Sequence, residues 1–191
     1  MNVIVHTFIR IRNLFLDPGK EWETIAAENN SRKTIFIRFV SPLLCLIAVA
    51  TIVGTWLSTS REVYSVSYVF CEIAILWTSL SAGLFSSAFV VTEIIARQDN
   101  QKNHGRTFAL MAYSAGASLL VIAIVALFPF FNELRILMFY SCYLYWRGIP
   151  SLVQIQGQKR MIYGLLSFII LAIIHLLMFF LFGNILKAIF M

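Results

Sequence analysis

The chain has 191 residues and a formal net charge of +6, and its composition is 60% hydrophobic and only 13% charged. Soluble domains carry about 45–50% apolar and about 25% charged residues, and a domain of this size has too little interior to hide the excess apolar surface. The composition therefore excludes an ordinary soluble protein and predicts an all-α integral membrane protein. The basic residues are interpreted by their position relative to the spans, and no nucleic-acid partner is expected.

Residues 1–38 precede any long apolar run, and we expect them to form a cytoplasmic, interfacial segment before a membrane domain of residues 39–191. Early in this segment, apolar residues recur at helical spacing at Ile4, Phe8, Ile11 and Phe15. This pattern is typical of an amphipathic helix that lies on a membrane surface. Arg10 and Arg12 would then be attracted to anionic headgroups.

A second helix is predicted to begin at Pro18, where the missing N–H of proline costs nothing, with Asp17 as its cap. The acidic cluster of the chain lies here and consists of Asp17, Glu21, Glu23 and Glu28. Glu21 and Glu28 are seven residues apart and share a helix face, whereas Glu23 does not. We interpret the cluster as solvated helix surface, with a metal or partner site as the alternative.

Five runs are long enough to cross a bilayer core, which needs about 20 mostly apolar residues in a helix. They cover residues 39–57, 73–95, 108–128, 134–153 and 163–182. The predicted inner side carries 11 basic residues against 3 on the outer side, with Arg147 set aside. The positive-inside rule then predicts a cytoplasmic N-terminus and a C-terminus outside, in the inner (cytoplasmic) membrane of a cell.

The fourth run ends in the stretch YLYWRGIPSL, which places Arg147 and Pro150 inside an apolar segment. Proline cannot donate a backbone hydrogen bond, so the helix should kink or end there. Arg147 is expected at a depth similar to that of Glu93 in the second run, and we predict that the two pair. The alternative is that Arg147 snorkels to phospholipid headgroups. His175, in the fifth run, is expected to bond to a neighbouring helix, with a proton-relay or ligand role as the alternative.

Catalytic and nucleotide-binding signatures such as G-x-x-x-x-G-K-[ST], H-E-x-x-H and G-x-S-x-G do not occur in the sequence. The cysteines Cys45, Cys71 and Cys142 are widely spaced and form no CxxC pair, which argues against a zinc site or a disulfide framework. We therefore expect neither an enzyme nor a bound cofactor or metal.

Three segments resemble the Yip family, named after Ypt/Rab-interacting proteins: LFLDPGKEWETIAAENN, YSAGASLLVIAIVALFP and YLYWRGIPSLVQI. The matching positions are Pro18, Trp22, Tyr113, Gly148, Ile149 and Pro150. The resemblance implies a cytosolic N-terminal segment followed by five spans. Eukaryotic members are implicated in vesicle traffic, bind prenylated small GTPases and usually carry a longer cytosolic N-terminal domain, and the chain is more similar to the short bacterial branch.

Two hypotheses about function follow. The first is a non-enzymatic five-span protein that organises lipids or partner proteins, with the phospholipid bilayer and membrane or peripheral proteins as partners. The second is a small transporter, channel or lipid-moving protein with a site near the broken fourth run, since interrupted helices often mark binding sites. The sequence leaves the ligand, the pathway and the oligomeric state open, a homo-oligomer included.

Overall fold

The computed structural model describes residues 3–57, 66–99 and 103–153, together with positions 166, 169–170, 173–174, 176–177, 180–181 and 183–185. All regular structure in these residues is helical, as the sequence predicts. Most of the fifth predicted span, including His175, lies outside the described residues.

The chain begins with two helices, α1 (Val3–Leu16) and α2 (Pro18–Glu28). The start of α2 confirms the prediction, because Pro18 is its first residue and an oxygen of Asp17 accepts a hydrogen bond from the Lys20 N–H at 3.3 Å. The end of α2 is set by Asn29, which adopts the left-handed conformation with φ of 43°. Asparagine tolerates this conformation better than most residues and is therefore common at helix ends.

Three helices in the described residues are long and apolar enough to cross a membrane: Arg32–Leu57, Val69–Ile94 and His104–Leu127. They confirm the first three predicted runs. The first consists of α3 (Arg32–Ile35), a π-helical turn (Phe36–Val40) and α4 (Ser41–Leu57), the second lies within α5 (Val66–Asp99), and the third is α6 (His104–Leu127).

Helix α6 lies at the centre of the described bundle, where it packs against α4, α5 and α7 (Tyr140–Leu152). Helices α4 and α6 approach closely at Gly54, where an added Cβ would lie 1.9 Å from the carbonyl oxygen of Ala126. At Gly116 an added Cβ would lie 2.7 Å from the ring of Phe39. Small residues let helix backbones approach in this way, and the resulting van der Waals contact stabilises helix pairs in lipid.

The fourth predicted run is helical in the structure and changes from 3-10 to α-helix within the run. It divides into a 3-10 helical segment, Pro129–Phe139, and α7. The 13 residues of α7 cover about 20 Å at about 1.5 Å per residue, and the 3-10 turns that lead into it extend the run toward the thickness of a bilayer core, about 30 Å. Helix α7 continues through Pro150 and ends at Leu152, close to the predicted end.

Serine side chains hold the junction between the 3-10 segment and α7. The Ser118 hydroxyl on α6 lies 3.2 Å from the carbonyl oxygen of Met138 and 2.7 Å from the hydroxyl of Ser141. The Ser118 N–H also donates to the Ser141 oxygen at 3.0 Å. The division of the fourth run therefore depends on contacts with α6, which the local sequence does not reveal.

Candidate functional site beneath the N-terminal helices

A buried ion cluster joins α1 to α2. Arg10 is only 5% exposed, and its two terminal nitrogens lie 2.5 Å from Oε1 of Glu21 and 2.5 Å from Oε1 of Glu28. This corrects two expectations from the sequence. Arg10 does not face lipid headgroups, and Glu21 of the acidic cluster is buried against it, whereas Asp17, Glu23 and Glu28 are exposed as expected.

The helical repeat explains why one arginine reaches both carboxylates. Glu21 and Glu28 lie two turns apart on one face of α2, as predicted. Their remaining oxygens are also bonded, because Asn13 donates to Glu21 at 3.1 Å and Asn30 donates to Glu28 at 2.8 Å. Each carboxylate is therefore held by one charged and one neutral donor, the arrangement in which partly buried charges are tolerated.

The electrostatics of the cluster favour a permanently charged Arg10. Burial alone would lower the pKa of this guanidinium, but its hydrogen bond to Glu28 and the charges of Glu28 and Glu21 outweigh burial and raise the pKa. The same environment has the opposite effect on the pKa of His6, which lies one helical turn from Arg10. Burial, followed by the positive charge of Arg10, lowers the pKa of His6, so that imidazole is neutral at neutral pH.

The cluster also contacts the membrane bundle. The Arg10 guanidinium lies 5.7 Å from the centre of the Tyr113 ring on α6, within the range of a cation–π interaction. The Thr7 hydroxyl lies 2.7 Å from the carbonyl oxygen of Arg38. Arg38 belongs to the π-helical turn that precedes α4, and such turns are frequent at functional sites. The polar face of α1 is thus directed at the bundle and not at solvent.

Trp22 attaches α2 to the bundle next to the ion cluster. It is fully buried and meets Tyr113 edge to face, with ring centres 6.4 Å apart. On its other side, a Cβ at Gly148 of α7 would lie 2.7 Å from the indole ring. Only glycine leaves room for the ring at that position. Trp22 is therefore in contact with two other positions that carry the family resemblance, Tyr113 and Gly148. A fourth such position, Ile149, is buried beside them.

The predicted polar residues of the membrane region are only partly brought to this site. Arg147 is exposed on α7, and its Nη2 lies 3.3 Å from a Cβ built at Gly19, near the start of α2. The hydrogen bond from Lys20 lowers the pKa of Asp17, and the charge of Arg147 acts in the same direction. Glu93 lies half-buried on α5. The Glu93–Arg147 pair stays a prediction, and His175 lies outside the described residues.

The outer face of α1 is apolar and exposed. Ile4, Phe8 and Phe15 are between 44% and 57% exposed, and Leu16 is 76% exposed. Ile11, which the sequence places with them, instead faces the bundle and is 6% exposed. Among these apolar side chains Arg12 is also exposed, so its stem can lie along the apolar surface while its head reaches polar groups.

A narrow cleft opens where α2 ends and where α3 and α6 begin, and we call it the Arg106 cleft. It is narrow, because its enclosed part has room for about one water molecule and the rest of its empty space is open to solvent. Its lining includes Asn29, Asn30, Gly105, Arg106, Tyr113 and Leu152. Nothing in the sequence pattern indicated this cleft, because its walls come from α2, α3, α6 and α7, and α6 and α7 are distant in the chain from the other two. In the part of the chain that the structure describes, no three His, Cys, Asp or Glu side chains cluster as a metal site would require.

One comparison with known proteins gives a match. A family model described as the Yip1 domain matches residues 12–181, which is most of the chain and includes every position that carries the resemblance. Neither a curated protein nor a solved structure matches the chain significantly.

Proposed function

The chain belongs to the Yip1 domain family of membrane proteins, and from this we propose that it is a non-catalytic multi-pass protein that organises lipids or partner proteins. Its site of action in this proposal is the inner (cytoplasmic) membrane, with the N-terminus in the cytoplasm. The fourth and fifth apolar runs complete five spans and place the C-terminus outside.

The observation that carries the proposal is the orientation of α1. Its polar residue Arg10 is turned inward to the ion cluster, while its apolar residues Ile4 and Phe8 are exposed. Exposed apolar area costs about 25 cal/mol per Å² in water. An interfacial position removes this cost, because apolar side chains enter the boundary between headgroups and acyl chains. We therefore place α1 on the cytoplasmic leaflet, with Arg12 at the level of the phosphates.

The ion cluster and Trp22 suit such a role because they make the surface rigid. Arg10 fixes α1 to α2, and Trp22 fixes α2 to α6 and α7. A helix pair held in this way presents a constant apolar surface to lipid, and loses little conformational freedom when lipid or a peripheral protein binds. Organisation of neighbouring molecules needs a fixed surface of this kind and requires no reacting group.

Site-directed spin labelling in nanodiscs tests the position of α1. The full chain, with its three cysteines replaced by alanine, would carry a label at Phe8 or, as a control, at the exposed Glu23 of α2. A label at position 8 should be more accessible to oxygen, which partitions into lipid, and a label at position 23 to a water-soluble nickel complex. Equal access of the nickel complex to both labels would refute the interfacial position of α1.

A further inference from the structure

The Arg106 cleft combines a cationic side chain with neutral polar neighbours. Its polar lining comprises Tyr113, Asn29 and Asn30 at the end of α2, and Arg106 in the first turn of α6, and none of the acidic side chains that the structure describes lines it. The nearby Glu28 is already engaged, because it accepts hydrogen bonds from Arg10 and Asn30. The positive charge of Arg106 is therefore not neutralised by the walls of the cleft.

Arg106 also has unused hydrogen-bonding capacity. Its Nε is shielded from solvent and has no hydrogen-bond partner in the described part of the structure. A buried N–H without a partner costs about 1–3 kcal/mol, and more when the group is charged. The planar guanidinium presents parallel N–H groups that match two oxygens of a phosphate or a carboxylate. An anion at the mouth of the cleft would accept hydrogen bonds from the terminal nitrogens of this guanidinium.

The position of the cleft favours phosphate over carboxylate as its ligand. It lies between the first residues of two membrane-spanning helices, Arg32–Leu57 and His104–Leu127. The ends of spanning helices lie at the level of the headgroups, where phosphate is the abundant anion. The positive end of the α6 dipole adds to the attraction.

We propose that the Arg106 cleft binds a phosphate group, presented by a phospholipid headgroup or as free phosphate. The guanidinium of Arg106 binds two phosphate oxygens, and the amide of Asn29 donates to the same group. This site is separate from the apolar face of α1 and does not depend on the interfacial position proposed for that helix.

Native mass spectrometry of the full chain, released from detergent micelles, tests the site. The probes are dioleoylphosphatidylglycerol and dioleoylglycerol, which has the same chains but no phosphate. Arg106→Gln is compared with Arg135→Gln, which removes the same charge from an exposed arginine in the 3-10 segment. Asn29→Gly is a second variant that keeps the fold, because glycine adopts the φ of 43° found there without strain.

The wild type and Arg135→Gln should bind the phospholipid equally, and both more tightly than dioleoylglycerol. Arg106→Gln should bind it about tenfold more weakly and Asn29→Gly about threefold, the losses expected for one charged and one neutral hydrogen bond. Competition by inorganic phosphate would identify free phosphate as a ligand, and its failure to compete would identify the headgroup. Equal binding by Asn29→Gly, Arg135→Gln and any folded Arg106→Gln would overturn the proposal.

Discussion

Arg10 and Glu21 are 11 residues apart in the chain and on different helices, yet their side chains meet at 2.5 Å with only 6% and 9% of their surfaces exposed. Taking two charges out of water is costly, and the contact repays the cost only when both partners are present and their other groups are bonded. The cluster therefore acts as a single unit. It holds α1 in register with α2 and leaves Ile4 and Phe8 exposed, while Ile11 faces the bundle and Phe15 stacks on Tyr140 of α7.

The first prediction concerns this unit. Arg10→Met leaves two carboxylates without their cation, and should lower the free energy of unfolding by about 3–5 kcal/mol. Thermal unfolding of the detergent-solubilised chain measures the loss, with Arg12→Met as the matched control because Arg12 is exposed. Glu28→Gln should cost less than Glu21→Gln, because a third of the Glu28 side chain already reaches solvent. An Arg10→Met variant as stable as Arg12→Met would contradict a structural role for the cluster.

The second prediction concerns Gly148. A methyl group added there would lie 2.6 Å from Leu110 and 2.7 Å from Trp22, so Gly148→Ala should destabilise the fold by about 1–3 kcal/mol through overpacking. Gly183→Ala is the control, because a Cβ at Gly183 meets nothing within 4 Å. Trp22→Phe makes room for the methyl group, and should reduce the effect of Gly148→Ala when the two are combined. Equal melting temperatures for the two alanine variants would show that α2 is not tightly packed on α7.

The third prediction concerns pH. Burial lowers the pKa of His6 below its ordinary value of 6.5 in the folded chain, where Arg10, Arg38, Glu21 and Glu28 contribute the surrounding charges. The unfolded chain therefore binds the proton more readily, and stability is lost as the pH falls through about 6.5 and below. Between pH 7.5 and pH 5.5, the melting temperature of the wild type should fall further than that of His6→Gln. Parallel pH profiles for the two proteins would show that His6 makes no contribution.

The fourth prediction concerns topology. The excess of basic residues on the predicted inner side places the segment after α5 in the cytoplasm and the C-terminus outside. A reporter fused after Gln101 should report cytoplasm, and one fused after Met191 should report the other side of the membrane. A cytoplasmic C-terminus would mean that the divided fourth run or the fifth run does not cross, and would overturn the count of five spans.

The sequence predicted those features that depend on neighbouring residues. The start of α2 follows from Asp17 and Pro18 in adjacent positions, and the first three spans follow from runs of apolar residues. The partner of Arg10 depends on how α1 folds back on α2, and a helical pattern gives the face of a residue but not what packs on it. The division of the fourth run depends on Ser118 and Ser141, which are 23 residues apart. Contacts of this kind require the packed structure.

The last prediction concerns Arg147, for which two neighbours compete. Sequence reasoning pairs it with Glu93, whereas the structure brings its guanidinium close to Gly19 and the charge of Asp17. If Arg147 pairs with Glu93 within the membrane, removal of one partner leaves a charge in a region of low dielectric constant, and each alanine variant should be destabilised. The double variant should then lose less than the sum, with a coupling of about 0.5–3 kcal/mol.

A second double-mutant cycle, which combines Arg147→Ala with Asp17→Asn, shows which of the two neighbours Arg147 interacts with. Asp17 is exposed to solvent, where a charge pair is screened and contributes little. Thermal unfolding in one detergent gives both couplings from the same preparations. Strong coupling to Glu93 with near-additivity at Asp17 would establish a polar contact between α5 and α7, the feature on which the transporter hypothesis depends. If the effects of the Arg147 and Glu93 substitutions are additive, the two side chains do not pair. Arg147 would then be a side chain that faces the headgroups beside α2.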